Sequence, residues 1–165
     1  MVYSVESGTE FRAEKVRVEN GRFVFDLVLA EKRINDLNLG VPGRHNVENA
    51  VGAVTAALQM GIDEASIRKG LASFKGVKRR FDYHIRRDDL VLIDDYAHHP
   101  AELAATISAV RELYPTKKIT GIFQPHLYTR TRDFADEFAI SLGKLDDLIL
   151  LDIYPARELP IPGVD

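Results

Sequence analysis

Three of the five histidines in this chain stand in short polar strings that follow apolar runs, and arginines and carboxylates stand with them. The strings are Asp94-Asp95-Tyr96-Ala97-His98-His99-Pro100, then Gln124-Pro125-His126-Leu127-Tyr128-Thr129-Arg130-Thr131-Arg132-Asp133, and finally Asp152-Ile153-Tyr154-Pro155-Ala156-Arg157-Glu158. Guanidinium forks suit carboxylate and phosphate anions, and fixed positive donors stabilise the charge that develops on a transferred phosphoryl group. Anion handling is therefore one chemistry these strings could serve. A second is divalent-metal binding by Asp94, Asp95, His98, His126 and Asp152, as in a metal-dependent hydrolase. Plainer readings stand beside both: Asp94 and Asp95 as a loop start, His99 as the neighbour of a helix-opening Pro100, and Arg130 or Arg132 paired with Asp133 or Asp136. Arg130 and Arg132 open a helix, where the dipole disfavours cations, so they call for an anionic partner. His126 and Arg130 are four apart at that entrance and can face one ligand.

A fourth string lies upstream, Gly43-Arg44-His45-Asn46-Val47-Glu48-Asn49. Asn46 and Asn49 are three apart at the start of a predicted helix, where their amides can offer a donor and an acceptor side by side. Such a pair fits an adenine edge or, for Asn46, helix capping; Asn49 lies too deep to cap. The chain contains neither a Gly-x-Gly-x-x-Gly after a strand nor a Gly-x-x-x-x-Gly-Lys-[Ser/Thr] string, so neither a dinucleotide fingerprint nor a phosphate loop is present.

The elements that must position these strings follow from periodicity. Val16 and Val18, then Phe23, Phe25, Leu27 and Leu29, alternate on either side of Asn20-Gly21, which predicts a β-hairpin. Gly40, Pro42 and Gly43 break that pattern. A helix then starts near Asn46 with Val47, Ala50, Val51, Val54 and Leu58 inward and ends at Gly61, and a second, capped by Asp63, points Ile67, Leu71 and Phe74 inward as its antiparallel partner. Residues 75–80 carry four basic side chains and one glycine without apolar period, and mark a domain boundary. Beyond them come an entry strand with Phe81, Tyr83 and Ile85, a turn at Arg86 to Asp89, an apolar run 90–93, a helix with Leu103, Ile107, Val110 and Tyr114 inward, a strand 119–123, a helix with Phe134, Phe138 and Leu142 inward, and a strand 148–153. The alternation predicts an α/β fold with three parallel strands and right-handed crossovers, the polar strings following the carboxyl ends of the strands, where ligands of such sheets bind. Three strands are few for that architecture, and a piece of a longer protein is expected.

Composition narrows the classes. The chain has 165 residues, 45% of them apolar, with 22 Lys and Arg against 25 Asp and Glu for a net charge of −3. That balance lacks the single-sign excess of a nucleic-acid or membrane-surface binder, and neither partner is expected. With no cysteine, disulfides, thiolate metal sites and a Cys nucleophile are excluded. No apolar run reaches the ~18 residues of a membrane span, the opening residues lack a leader pattern, and a cytoplasmic location is expected.

Taken together, Gly43-Arg44-His45-Asn46-x-x-Asn49, Arg79-Arg80-Phe81, Asp94-Asp95-Tyr96-Ala97-His98-His99-Pro100 and Phe123-Gln124-Pro125-His126-x-x-x-Arg130-Thr131-Arg132, in this order, resemble the Mur ligases. Within that family the Gln124-Pro125-His126 loop fits the members that join L-alanine to UDP-N-acetylmuramate better than those that recycle murein tripeptide. The resemblance implies that residues 1–76 are the end of a P-loop-type, ATP-binding central domain, here a β-hairpin plus a helix pair. Residues 77–165 are then an incomplete Rossmann-like parallel-sheet domain. It implies ATP as cosubstrate, with His45, Asn46 and Asn49 on the adenine side, Asp95 at the ribose, and Arg80 meeting a phosphate when the domains close. It also implies that Tyr96, His98, His126 and Arg130 border the muramoyl and alanine end, with Arg80, His98, His126 and Arg130 serving catalysis. The family's UDP-binding domain, phosphate loop and Mg2+ ligands are not in these residues, so Mg2+ is expected to be held elsewhere and the piece alone to be inactive. Leu127 stands where many members carry a second basic residue. A non-catalytic binding module is the remaining reading.

Overall fold

In a computed structural model, residues 3–4, 10–30 and 32–165 are described; apart from 3–4, the opening residues read above for a leader lie outside that set. The chain divides into two compact units, residues 1–95 and 96–165.

In the first unit, β1 (Tyr3–Ser4), β2 (Phe11–Glu19), β3 (Arg22–Val28) and β4 (Arg33–Leu39) form one sheet in chain order, parallel between β1 and β2 and antiparallel thereafter. Asn20 and Gly21 turn β2 into β3 with φ of 50° and 70°, the double positive φ that an Asn-Gly hairpin supplies. Strand β3 is buried along both faces, so Val24 and Asp26 are enclosed as fully as Phe23, Phe25 and Leu27, which alternation alone would not show. The enclosed Asp26 is not left unpaired. It accepts the N–H of Asp36 at 3.0 Å, at a bulge where Asp36 takes a φ of 55°, and pairs with Lys15 at 3.4 Å. Helices α1 (Arg44–Gln59) and α2 (Glu64–Ser73) pack on this sheet, α1 burying Val47, Ala50, Val51 and Val54 as its spacing predicts. Asp63 caps α2 by accepting from Ser66 at 2.9 Å. Gly40 passes so close to the end of α2 that a Cβ there would sit 2.1 Å from the Phe74 carbonyl oxygen. Phe74, expected to face inward, is instead the exposed residue that terminates the helix.

The entry strand and the apolar run form a hairpin, β5 (Asp82–Arg86) with β6 (Val91–Asp94), closed by the Arg87 N–H on Leu90 O at 2.9 Å. The turn expected at Arg86 to Asp89 is present, and it pairs the apolar run antiparallel with the entry strand. The four-residue link is too short for anything but a hairpin.

The second unit holds α3 (Pro100–Leu113), β7 (Thr120–Phe123), α4 (Tyr128–Asp133), α5 (Ala135–Leu142) and β8 (Asp147–Leu150). Strands β7 and β8 run parallel across the α4–α5 crossover, as the alternation predicts. Phe123, Phe138 and Leu142 form its core, with Leu103, Phe134 and Leu145 packed against them. The single helix expected through Phe134 is two, because Phe134 leaves helical geometry (φ −122°, ψ 24°) with its ring against His99, centroids 4.8 Å apart. Ile122 and Ile149, paired across β7 and β8, are both exposed.

Candidate functional site

Within the first unit the chemistry gathers at the start of α1. Gly43 caps the helix with a φ of 107°, and a Cβ there would meet the His45 ring at 2.6 Å, so the missing side chain is what lets the imidazole fold back over the cap. The helix starts two residues earlier than expected, at Arg44, which moves Asn46 into its first turn. Asn46 is not a cap. Its Nδ2 donates to the Pro42 carbonyl at 2.6 Å, leaving Oδ1 as the acceptor, and Asn49 is exposed one turn on.

Asp95, at the end of β6, and Arg80, ahead of β5, both act electrostatically on His45. Desolvation is the larger influence and holds the imidazole below its ordinary pKa; Asp95 opposes this and Arg80 reinforces it. The helix start, the basic junction and the carboxylate after β6 are thereby gathered within this unit although they lie far apart in sequence. Arg80 is exposed and flanked by two non-glycine residues at positive φ, Arg79 at 61° and Phe81 at 50°. That geometry is pinned by carboxylates: Asp82 accepts the Arg79 N–H at 3.2 Å, and Asp95 accepts the Phe81 N–H at 2.8 Å. Asp94 is a surface partner of Arg79 at 3.7 Å and of His84 at 3.8 Å. It closes β6 rather than opening a loop.

Within the second unit the polar strings form two local arrangements. His98 Nδ1 lies 2.9 Å from the Tyr96 carbonyl oxygen, and the two rings meet edge to face at 5.2 Å. Glu102, which the sequence reading passed over, fixes both histidines by accepting the backbone N–H groups of His98 and His99 at 3.0 and 3.2 Å. Its position three residues after the capping His99 is the capping-box spacing, a signal available in the sequence.

The second arrangement joins His126 and Arg130, with Arg130 Nη1 3.5 Å from His126 Nδ1. The four-residue spacing is thus realised although only Arg130 is helical. Neither of the ordinary partners proposed for Arg130 takes it: Asp133 is held by Arg132 at 2.7 Å, and among the described residues Arg130 forms no ion pair. The positive helix end expected behind this pair is already occupied, because Glu158 accepts from the Thr129 N–H and hydroxyl at 2.9 and 2.6 Å. Thr129, Tyr154 and Glu158 stand in the strings but were given no role, since contacts across such long separations leave no mark in local spacing.

The metal reading loses its ligand set. Among the described residues no three or more His, Cys, Asp or Glu side chains are grouped to hold an ion, and Asp94, Asp95 and His98 are engaged with the partners given above.

Residues 79–161 match the family described as Mur ligase, glutamate ligase domain, and the chain belongs to the Mur ligase family. It is 58% identical over 162 residues to a UDP-N-acetylmuramate–L-alanine ligase of Parabacteroides distasonis, covering 98% of this chain and 35% of that protein. The enzyme of the same name from Porphyromonas gingivalis is 50% identical over 161 residues, covering 98% and 35%. Among solved structures, UDP-N-acetylmuramate-alanine ligase of Thermotoga maritima superposes with a TM-score of 0.79 at 29% identity, over 90% of this chain and 33% of that one. Folylpolyglutamate synthase of the same organism shares the fold alone, with a TM-score of 0.68 at 20% identity over 94% of this chain and 36% of that one. The chain spans about a third of the length of the curated relatives it matches.

Proposed function

We propose that this chain is part of an ATP-dependent ligase that joins L-alanine to UDP-N-acetylmuramate, with residues 1–76 ending its nucleotide-binding central domain and residues 77–165 beginning its ligase domain. The observation that carries the reading is the separation of chemistries: an imidazole acted on by Asp95 and Arg80 at the amide-bearing start of α1 in one unit, and a guanidinium beside an imidazole in the other.

In this reading a muramoyl carboxylate oxygen attacks the γ-phosphorus of ATP, ADP leaves, and an acyl phosphate forms. The amine of L-alanine then attacks the acyl carbon, loses a proton, and expels phosphate. Asn46 Oδ1 and Asn49 meet the adenine edge, with His45, kept neutral, beside them. Asp95 meets the ribose. Arg80 meets a phosphate late, and its positive charge offsets negative charge that grows at the transferred group. Tyr96 and His98 border the muramoyl group, and Arg130 with His126 binds a substrate carboxylate through charge-assisted bonds. Mg2+ belongs to this chemistry, but the described residues assemble no carboxylate set for it, and no step here runs through it. The site is that of a soluble enzyme of the cytoplasm, where ATP and the UDP-sugar are found.

The test is ligation by the full-length protein supplied with ATP, UDP-N-acetylmuramate and L-alanine. One ADP and one phosphate per amide are expected, and the 165-residue chain alone should give no product above a blank. Absence of an amide product from the full-length protein would overturn the reading.

A further inference from the structure

The segment after β8 does not leave the sheet; it runs on beside the loop after β7. Leu151 N–H donates to Phe123 O at 2.9 Å, Gln124 Nε2 to Asp152 O at 3.2 Å, Tyr154 N–H to Pro125 O at 2.8 Å, and Leu127 N–H to Tyr154 O at 3.0 Å. The His126 ring lies on the Tyr154 ring, centroids 5.5 Å apart and planes 23° from parallel. Between His126 and Arg130 the chain passes through Leu127 at a φ of 76°, a conformation that L residues rarely adopt and that persists only where surrounding contacts impose it. Those contacts are the Tyr154 carbonyl on one side, and the Thr131 N–H and hydroxyl donating to Leu127 O at 3.1 and 2.8 Å on the other. Glu158 completes the clamp. Its two oxygens take the N–H and the hydroxyl of Thr129, the residue before Arg130. These bonds fix the helical turn that carries Arg130, whose charge also acts on Glu158.

We infer that Glu158 is a positioning residue for the substrate-carboxylate site, acting through Thr129 to hold Arg130 beside His126. The inference rests on the ligase reading above, since it names the device that sets that site's geometry. Removing the carboxylate frees the Thr129 donors and lets the Leu127 turn relax, so Arg130 and His126 no longer converge on one anion. Substrate binding at that end suffers while the adenine side, in the other unit, does not.

The experiment uses the full-length ligase with Glu158→Gln, Glu158→Ala and Thr129→Val, the last keeping the backbone N–H bond and removing only the hydroxyl. KM is measured separately for L-alanine, UDP-N-acetylmuramate and ATP, and whichever of the first two rises identifies the carboxylate held there. Glu158→Ala is expected to raise that KM about tenfold, with Glu158→Gln and Thr129→Val at intermediate values and KM for ATP within twofold. Thr129→Val also reads the effect should Glu158→Ala fail to fold. KM values that stay unchanged, or that rise equally for ATP, would overturn the inference and leave the ligase reading standing. An unsubstituted protein that forms no amide would overturn the ligase reading and the inference with it.

Discussion

Asp95 accepts the backbone N–H of Phe81 at 2.8 Å across fourteen positions of sequence, and so ties the end of β6 to the residue that follows Arg80. Phe81 is buried and sits at a φ of 50°, a cost that the bond offsets. A residue assigned to the ribose is thus also a structural anchor.

That dual role has a measurable consequence. Asp95→Ala leaves a half-buried N–H without its charged acceptor and is expected to cost about 1.5–3 kcal/mol. For a chain of this size that lowers Tm by roughly 4–10 °C. Asp95→Asn keeps an acceptor oxygen and should retain most of the stability. A thermal melt of Asp95→Ala that matches the unsubstituted chain would show that the Phe81 bond contributes nothing.

Arg80 is exposed and held by its strained neighbours rather than by packing of its own. In the full-length enzyme Arg80→Ala should lower kcat more than it weakens substrate binding, because a guanidinium that meets its phosphate only on closure acts mainly in the transition state. Steady-state kinetics decide it: an unchanged kcat with a raised KM would assign Arg80 to ground-state binding.

Arg130 and Arg132 are two residues apart on one short helix and differ in their partners. Arg132 forms an ion pair with Asp133, whereas Arg130 lies beside His126 and interacts with Glu158 through charge alone. Arg130→Ala should leave Tm within about 2 °C, since the half-buried side chain forms no ion pair among the described residues and substitutions away from such features usually cost within ~0.5 kcal/mol. It should cut kcat/KM by roughly tenfold or more, the loss of a charged hydrogen bond of ~1.5 kcal/mol. Arg132→Ala should leave kcat/KM within twofold. Equal effects of the two substitutions would remove Arg130 from the substrate.

Acid should destabilise the chain in two stages. His45 is held below its ordinary pKa chiefly by desolvation, so as pH falls below about 6.5 the unfolded chain binds that proton first and stability declines. Asp146, bonded by Arg111 and the Ile119 N–H, Asp147, bonded by Lys118, and Glu158, bonded by Thr129, are also held low. Their contribution is complete above the ordinary carboxylate range and is lost as pH drops through about 4 and below. Thermal melts from pH 7 to pH 3 should show both declines. His45→Gln should remove the upper one and Asp146→Asn should weaken the lower; melts that do not respond to either substitution would contradict the assignment.

Sequence alone determined what depends on neighbours along the chain. The Asn20-Gly21 hairpin, the buried stripe of α1, the Asp63 cap and the His126–Arg130 pairing follow from spacings of two to four residues, where backbone geometry leaves few choices. The string identities also carried the resemblance to Mur ligases, which the family match over residues 79–161 bears out. Tertiary structure decided the rest. It broke the helix at Phe134 against His99 and gave Asp95 a backbone partner fourteen residues away. It also brought Glu158 to Thr129 across twenty-nine positions and thereby occupied the helix end that sequence reasoning had left for a substrate. The reason is physical: a short-range period constrains only the dihedrals of its own segment, whereas these bonds depend on which distant donor the completed packing leaves within 3 Å of a carboxylate.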